Sequence, residues 1–351
     1  MLLRDHQPFT TWVNSTASSY KTSNIPRRWV ISAMILLASM YNLAHAVSLP
    51  QCPQPQLLEQ RYAAPQSSLQ GYRNPLNALL AGLPHYHMVH DVISARGGSA
   101  TVTAKFDYGS IVHKDLEFET VQFYLRGAQD SQWRYLGQKV TNSDGKASIS
   151  ISGLATGQYR IYALVPADKT GAEGFITVVD PGTEAVLFDI DGTLTESDLE
   201  QIGDYPAIRR ASPKDGAYSL VRQYLDKGYQ PIYLSARVYW YQKGTRDWLQ
   251  WMGLPPGFLR TSLSNETSLF RTAAYKIEQI KQLQAAGVNI VRAYGNAKTD
   301  AEAFIKAGLA ADRSFTIGAD AGFYGTTAIA GNSYQQHIRH AVAPFPAARC
   351  Y

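Results

Sequence analysis

Between Met88 and Val179 the chain alternates apolar and polar residues with a period of two, in the runs ATVTAKF, LEFETVQFYLR, WRYLGQKVT, KASISIS, QYRIYALV and GFITVVD. Asp144-Gly145, Gly153, Gly157 and Pro166 separate these runs with turn residues. The pattern predicts an antiparallel β-sandwich of roughly six or seven strands over residues 88–180. From Glu184 the rhythm changes, and strand candidates AVLFDI, QPIYLSA, NIVRAYG and SFTIG alternate with helical faces. One face carries Ala217, Leu220, Val221, Tyr224 and Leu225 and closes at Gly228; a second carries Trp248, Leu249 and Met252 and closes at Gly253. A third carries Ala273, Ile277, Ile280 and Leu283 and closes at Gly287, each glycine standing where a helix C-cap wants one. A βαβ series of this kind predicts a parallel sheet with helices on both faces over residues 184–345.

Two further segments precede these domains. Residues 1–46 hold Lys21, Arg27 and Arg28 ahead of WVISAMILLASMYNLAHA, which ends Ala44-His45-Ala46. A basic region, a short apolar run and an A-x-A ending predict a signal peptide cut after Ala46, or a signal anchor, since Trp29 to Leu49 is just long enough to span a bilayer. The expected location is therefore outside the cytoplasm: exported, periplasmic or extracellular, with membrane association as a variant. Residues 47–87, rich in Pro, Gln, Leu and Ala, read as a linker or arm. In an oxidising compartment Cys52 and Cys350, the only two cysteines, would tie the two ends together. His85, His87 and His90 lie near ligand spacing, but only Asp91 adds a further donor, so ordinary packing is the better reading.

Composition narrows the choices. A chain of 351 residues with 45% hydrophobic, 11% aromatic and 17% charged residues is neither disordered nor a cysteine-stapled scaffold. Of the formal charge of +5, residues 1–46 supply most, with Arg4, Lys21, Arg27 and Arg28 against Asp5 alone. No dense Lys/Arg run follows, so nucleic acid is not the expected partner.

The chemistry concentrates at strand ends. In a parallel sheet, ligands bind at the carboxyl ends of the strands. LFDIDGTLTESD puts Asp189 at the end of the first strand and Asp191 two residues on, with Gly192 free to turn the chain between them and the following helix. Two carboxylates so placed can divide the labour of phosphoryl transfer, one as nucleophile and one as proton donor and acceptor. A divalent cation such as Mg²⁺ would offset the repulsion between an anionic nucleophile and an anionic phosphate.

Asp189-Ile-Asp-Gly-Thr193 resembles the first motif of the haloacid dehalogenase superfamily of aspartate-dependent phosphatases. The later motifs follow in order: Ser235 in IYLSAR, Lys276 in YKIEQIKQL, and Asn296 with Asp300 in AYGNAKTDAEAF. The resemblance implies that Asp189, Asp191, Ser235 and Lys276 are catalytic. It implies that Thr193 and Arg237 contact substrate, and that Asp189, Asp191, Asn296 and Asp300 hold Mg²⁺, with Asn296 standing where an Asp is more usual. The implied fold is a Rossmann-like α/β domain with a minimal cap, preceded by an Ig-like sandwich, because only 41 residues separate Asp191 from Tyr233 and they include a core helix.

The wording of these motifs, together with GLAADRSFTIG, is similar to the lipin-type phosphatidate phosphatases and to the lipin-like domain of retinal degeneration B type phosphatidylinositol-transfer proteins. This implies a phosphatidate phosphatase releasing diacylglycerol and phosphate. Two alternatives stay open, a phosphatidate-binding module without turnover and a phosphatase of a soluble phosphomonoester. The implied partners are a lipid phosphate at a membrane surface and, through the β-sandwich, another protein. The aromatic run Tyr239, Trp240 and Tyr241 stands on the expected rim, where either lipid contact or helix packing would employ it.

Overall fold

The computed structural model describes residues 62–109, 113–196, 211–255, 257–262 and 271–349. The leader, Cys52 and Cys350 lie outside the described residues. Among these residues no helix is long and apolar enough to cross a membrane.

The first half builds two facing sheets. β1 (Met88–Val89), β3 (Ser99–Lys105) and β8 (Lys146–Ser152) form one, and β2 (Val92–Ala95), β10 (Gly171–Val179), β9 (Gly157–Leu164), β6 (Thr120–Gly127) and β7 (Arg134–Val140) form the other. A small ribbon of β4 (Asp107–Tyr108) and β5 (Lys114–Asp115) flanks them. The period-two reading is visible in β8, where Ala147, Ile149 and Ile151 face the core and the intervening serines face water or the rim. They pack with Ala100, Val102 and Ala104 of β3 and with Val121, Phe123 and Leu125 of β6.

Two features differ from expectation. β1 and β2 arise at the very start of the sandwich, from a stretch too short and too broken by His90 and Asp91 to read as strands. β2 runs parallel to β10, pairing Val92 with Ile176 and Ala95 with Val179, so the second sheet is mixed rather than wholly antiparallel.

The second half is a six-stranded, all-parallel sheet. Its strands are β11 (Glu184–Phe188), β12 (Gln230–Val238), β13 (Phe258–Ser262), β14 (Asn289–Gly295), β15 (Ser314–Ile317) and β16 (Thr327–Ile329), in the order β13-β12-β11-β14-β15-β16. The helices are α1 (Ala217–Asp226), α2 (Gln242–Trp251), α3 (Thr272–Ala285) and α4 (Lys298–Lys306). Every residue of β11 and β12 is buried, as a sheet covered on both faces requires. Alternate residues of β11 enter different cores: Val186 and Phe188 join α1 and Trp248 of α2, while Ala185 and Leu187 join α3 and Phe304 of α4.

The α1 face is the one its periodicity predicts, with Ala217, Leu220, Val221, Tyr224 and Leu225 all buried. In α3, Ile280 and Leu283 point inward as predicted, but Tyr275, Lys276 and Gln279 share that face, while Ala273 and Ile277 are only partly covered. The edge strands β13 and β16, of five and three residues, are stabilised by their neighbours rather than by a pattern of their own.

A buried polar seam joins the two halves. Asp91, fully buried between β1 and β2, accepts hydrogen bonds from the backbone N–H of Phe175 at 3.0 Å and of Leu259 at 2.9 Å. Arg246 Nη2 of α2 donates to both of its oxygens at 2.8 Å, and Arg260 Nη1 donates to its carbonyl at 2.8 Å. Gln242 Nε2 adds a bond to the Val89 carbonyl at 2.6 Å. One carboxylate thus satisfies donors from the sandwich, from α2 and from β13. Asp91→Ala would strand the Arg246 guanidinium and two buried N–H groups. Stability is expected to fall by about 3–5 kcal/mol, read as a lower urea midpoint.

Candidate active site

The carboxyl ends of β11, β12 and β14 converge with the first turns of α3 and α4. Asp189 directly follows β11, and its N–H donates to the Tyr294 carbonyl of β14 at 2.9 Å, which holds the chain extended to the strand end. Gly192 then turns with φ +71, and a Cβ there would lie 2.1 Å from Asn296 Nδ2. Only glycine lets the loop after β11 press against the loop after β14.

Lys276 enters from the first turns of α3, nearly fully buried, and its Nζ donates to Asp189 Oδ1 at 2.8 Å and to Asp300 Oδ1 at 2.7 Å. The other Asp300 oxygen accepts from the backbone N–H groups of Asn296 at 3.0 Å and Ala297 at 3.1 Å. Asp300 thereby ties the start of α4 to the site, and its Cβ sits where a side chain on Gly295 would have to go, 2.4 Å away. Thr193 Oγ1 lies 2.8 Å from Asp189 Oδ2 and 3.1 Å from Asn296 Oδ1.

Asp191 is held by a different set of partners. Arg237 Nε donates to its Oδ1 and Oδ2 at 3.1 and 2.8 Å, and Nη2 donates to Oδ1 at 2.6 Å. Ser235 Oγ donates to Oδ2 at 3.2 Å while accepting from the Arg237 N–H at 3.1 Å. Both members of the ion pair are buried, and Arg237 Nη1 is fixed in turn by Thr245 Oγ1 at 2.8 Å. Asp189, Thr193, Lys276, Asn296 and Asp300 therefore form one connected group, and Asp191, Ser235 and Arg237 a second beside it.

Three contributors escaped the sequence reading. Thr245 lies on the inward face of α2 among polar residues, and nothing in its surroundings marks it. Tyr334 OH donates to the Thr193 carbonyl at 3.1 Å from a polar stretch near the end of the chain. Burial, with the nearby Asp189 and Asp300, pushes its phenol well above the usual range, so it acts as a fixed neutral donor. The third is Asp107, which accepts from Tyr239 OH and, at 2.9 Å, from His113 Nδ1. Tyr239 is 4% exposed, and the Trp240 ring lies 4.6 Å from His113. Of the two uses open to the aromatic run after Arg237, the structure shows packing, with Tyr239 and Trp240 at a joint between sandwich and sheet.

The residues were also tested against the metal that their motifs imply. Among the described residues no three acidic, His or Cys side chains gather as a ready metal cage. One hydroxyl proton on Thr193 cannot satisfy both Asp189 Oδ2 and Asn296 Oδ1, so that corner is electron-rich. With Asp300 next to it, the donor set is the hard-oxygen kind that Mg²⁺ takes. The oxygens of Asp191 accept from Arg237 and Ser235, and those of Asp300 from Lys276 and two backbone N–H groups, so either carboxylate would exchange one of these partners for the cation.

Three histidines, His87, His90 and His337, pack as neutral side chains. His87 Nε2 lies 2.9 Å from Thr170 Oγ1, and burial drives its pKa down to about 3. Burial likewise holds His90 well below its usual value. His337 meets Tyr294 OH at 2.9 Å and is lowered to about 4 by burial and by Arg292.

Two segments of the chain are similar to known domain families. Residues 186–318 match the family model described as "PITM 1-3, LNS2 domain", and residues 85–178 match "PITM 1-3, beta-sandwich domain". Protein retinal degeneration B of Drosophila melanogaster is 29% identical over 238 residues, covering 66% of this chain and 18% of that protein. Membrane-associated phosphatidylinositol transfer protein 1 of Homo sapiens is 27% identical over 274 residues, covering 77% and 21%. Membrane-associated phosphatidylinositol transfer protein 2 of Homo sapiens is 33% identical over 175 residues, covering 49% and 12%. The chain therefore spans only about a fifth of the relatives that match most of it, 18% and 21% of their lengths. Among solved structures, apo phosphoserine phosphatase aligns with a TM-score of 0.33 and 14% identity over 45% of this chain and 98% of that one.

These relatives overturn the expectation of an exported protein, because they are membrane-associated transfer proteins. An apolar run behind basic residues carries no address of its own, since membrane association draws on the same pattern as export.

Two outcomes are expected. Lys276→Met leaves two buried carboxylates facing each other, lowering stability by about 3–5 kcal/mol. Adding Asp300→Asn should restore much of that loss in a urea double-mutant cycle. Because His87 stays neutral when folded down to about pH 3, the unfolded chain binds more protons below pH 6.5. Stability then falls on acidification, by about 2 kcal/mol between pH 7 and 5 from this residue. In His87→Gln that share of the fall in urea midpoint should vanish.

Proposed function

We propose that this chain is a haloacid dehalogenase type phosphatase of a lipid phosphomonoester, with phosphatidate the foremost substrate. The observation that carries the reading is the setting of Asp189: a buried carboxylate at a strand end, held between Lys276 and Thr193, two residues from a second aspartate. The similarity to lipin-related and phosphatidylinositol-transfer domains supports the lipid part of the reading.

In this scheme Asp189 attacks phosphorus, the bond to the ester oxygen breaks, and an aspartyl phosphate forms. Asp191 gives a proton to the departing alcohol and takes one from the water that then cleaves the acyl phosphate, which returns Asp189 and releases phosphate. Lys276 offsets charge on the nucleophile and on the transferring group, and the hydroxyls of Thr193 and Ser235 donate to its oxygens. Bound Mg²⁺, held by Asp189, Asn296 and Asp300, would supply the remaining charge compensation.

One observation favours a second reading, phosphatidate binding without turnover. Both oxygens of Asp191 accept from the Arg237 guanidinium, so neither is turned toward a departing alcohol or a water until Arg237 lets go. If Arg237 keeps its hold, phosphate is gripped and not cleaved.

Purified protein with Mg²⁺, offered phosphatidate in mixed micelles beside an aryl phosphate and sugar phosphates, separates the readings. Phosphate release from phosphatidate that falls by about a thousandfold or more in Asp189→Asn is the expected result. Turnover of the soluble esters alone would replace lipid with a soluble substrate, and lipid retention without phosphate release would establish the binding reading.

A further inference from the structure

The groups that would meet phosphate are almost wholly buried, with Asp189, Asp191, Thr193, Ser235, Lys276 and Asp300 each no more than 2% exposed. Among the described residues the site opens along the start of α4, where Asn296 and Ala297 are half-buried and Lys298 is exposed. Beside that opening stands the loop from Gly318 to Thr326 between β15 and β16. It leaves the sheet at the same edge, because β15 runs parallel to β14 with Thr316 opposite Gly295.

The base of this loop is pinned. Gly322 N–H donates to Thr316 Oγ1 at 2.8 Å, Thr316 and Thr326 share a hydroxyl contact at 2.9 Å, and Thr326 Oγ1 donates to the Phe323 carbonyl at 2.8 Å. Its tip is apolar and open, with Phe323 42% and Tyr324 50% exposed. Tyr324 has φ 53 and ψ 23, a left-handed conformation that costs a tyrosine free energy. Lys298 Nζ lies 4.4 Å from the centre of the Phe323 ring and 3.8 Å from Asp320. A braced loop thus holds two aromatic rings and an ammonium group in water at the mouth of the site, at the cost of backbone strain.

We propose that this loop is a membrane-contact element that seats Phe323 and Tyr324 in the interface of an anionic phospholipid bilayer, with Lys298 against the headgroup phosphates. Aromatic rings are favoured at that depth, and an ammonium beside them gains from negative lipid. The inference rests on the lipid-phosphate reading above. It explains how a headgroup could reach Asp189, since a lipid lifted slightly from the bilayer beside Phe323 meets Asn296 first.

The test uses the full chain with Phe323→Trp and vesicles of phosphatidylcholine with 20% phosphatidylserine (about a physiological anionic fraction), which contain no phosphomonoester. Brominated acyl chains should quench the added tryptophan about twofold relative to the same vesicles without bromine, against the background of the six native tryptophans. Asp189→Asn should leave this quenching intact, so the result is independent of turnover. In Phe323→Ser/Tyr324→Ser, turnover of phosphatidate in vesicles should fall at least about tenfold while turnover of a soluble aryl phosphate is retained. Vesicle binding without quenching at position 323 would overturn the proposal. So would an unchanged vesicle rate in the double variant, or sedimentation showing that the two rings instead hold a second copy of the chain. A protein that cleaves neither ester would defeat the phosphatase reading, and the quenching alone would then decide this one.

Discussion

The Lys276 ammonium between Asp189 and Asp300 is the interaction on which the site depends. Two carboxylates buried this close repel strongly, and desolvation penalises each, so a cation must come with them. Lysine supplies it from the inner face of α3, with three donors on a flexible stem that reach one oxygen just after β11 and one on α4. That placement explains the rotation of α3 relative to its apolar pattern. The helix turns Tyr275 and Lys276 inward and leaves Ile277 partly covered, because satisfying the buried charge outweighs covering one more aliphatic side chain.

A second buried pair gives the site its chemical ambiguity. Arg237 holds Asp191 through a fork of short bonds, and Thr245 holds Arg237. The segment that follows is anchored in the sandwich through Tyr239 and Asp107. The sandwich is therefore part of the support for the end of β12 that carries Arg237, and Asp91 extends the same seam to α2 and β13. Burial raises the Asp107 carboxyl above its usual range, while the hydrogen bonds from Tyr239 and His113 pull the other way. The joint thus joins two domains through groups that are costly to separate. Any substrate that draws Arg237 away from Asp191 must work against this network.

Much of the architecture was legible because it rests on periodicity. The sandwich strands β3 and β6 to β10, the four central parallel strands, α1 and α2 follow from alternation, from helical faces and from glycines such as Gly228 and Gly253, whose positive φ ends a helix. Asp189 and Asp191 were legible as carboxylates at a strand end, whereas Thr193, Ser235, Lys276, Asn296 and Asp300 stood out only through the resemblance of their motifs, since each alone reads as an ordinary loop or helix residue. What stayed hidden had no local signal. β1, β2, β13 and β16 are strands only because neighbours offer hydrogen bonds, and no local pattern marks Thr245 as the partner of Arg237, Tyr334 as that of Thr193 or Asp107 as that of Tyr239.

By itself the sequence determined two domains, the order of elements in the second, and the residue types assembled at its strand ends, because hydrophobic period and chain connectivity act locally. Tertiary structure alone decided which acid each cation serves. Lys276 pairs with Asp189 and Asp300, Arg237 pairs with Asp191, and Phe323 and Tyr324 reach water while Tyr239 is buried. Pairing and exposure depend on distances between segments tens of residues apart, and those distances exist only once the sheets have packed.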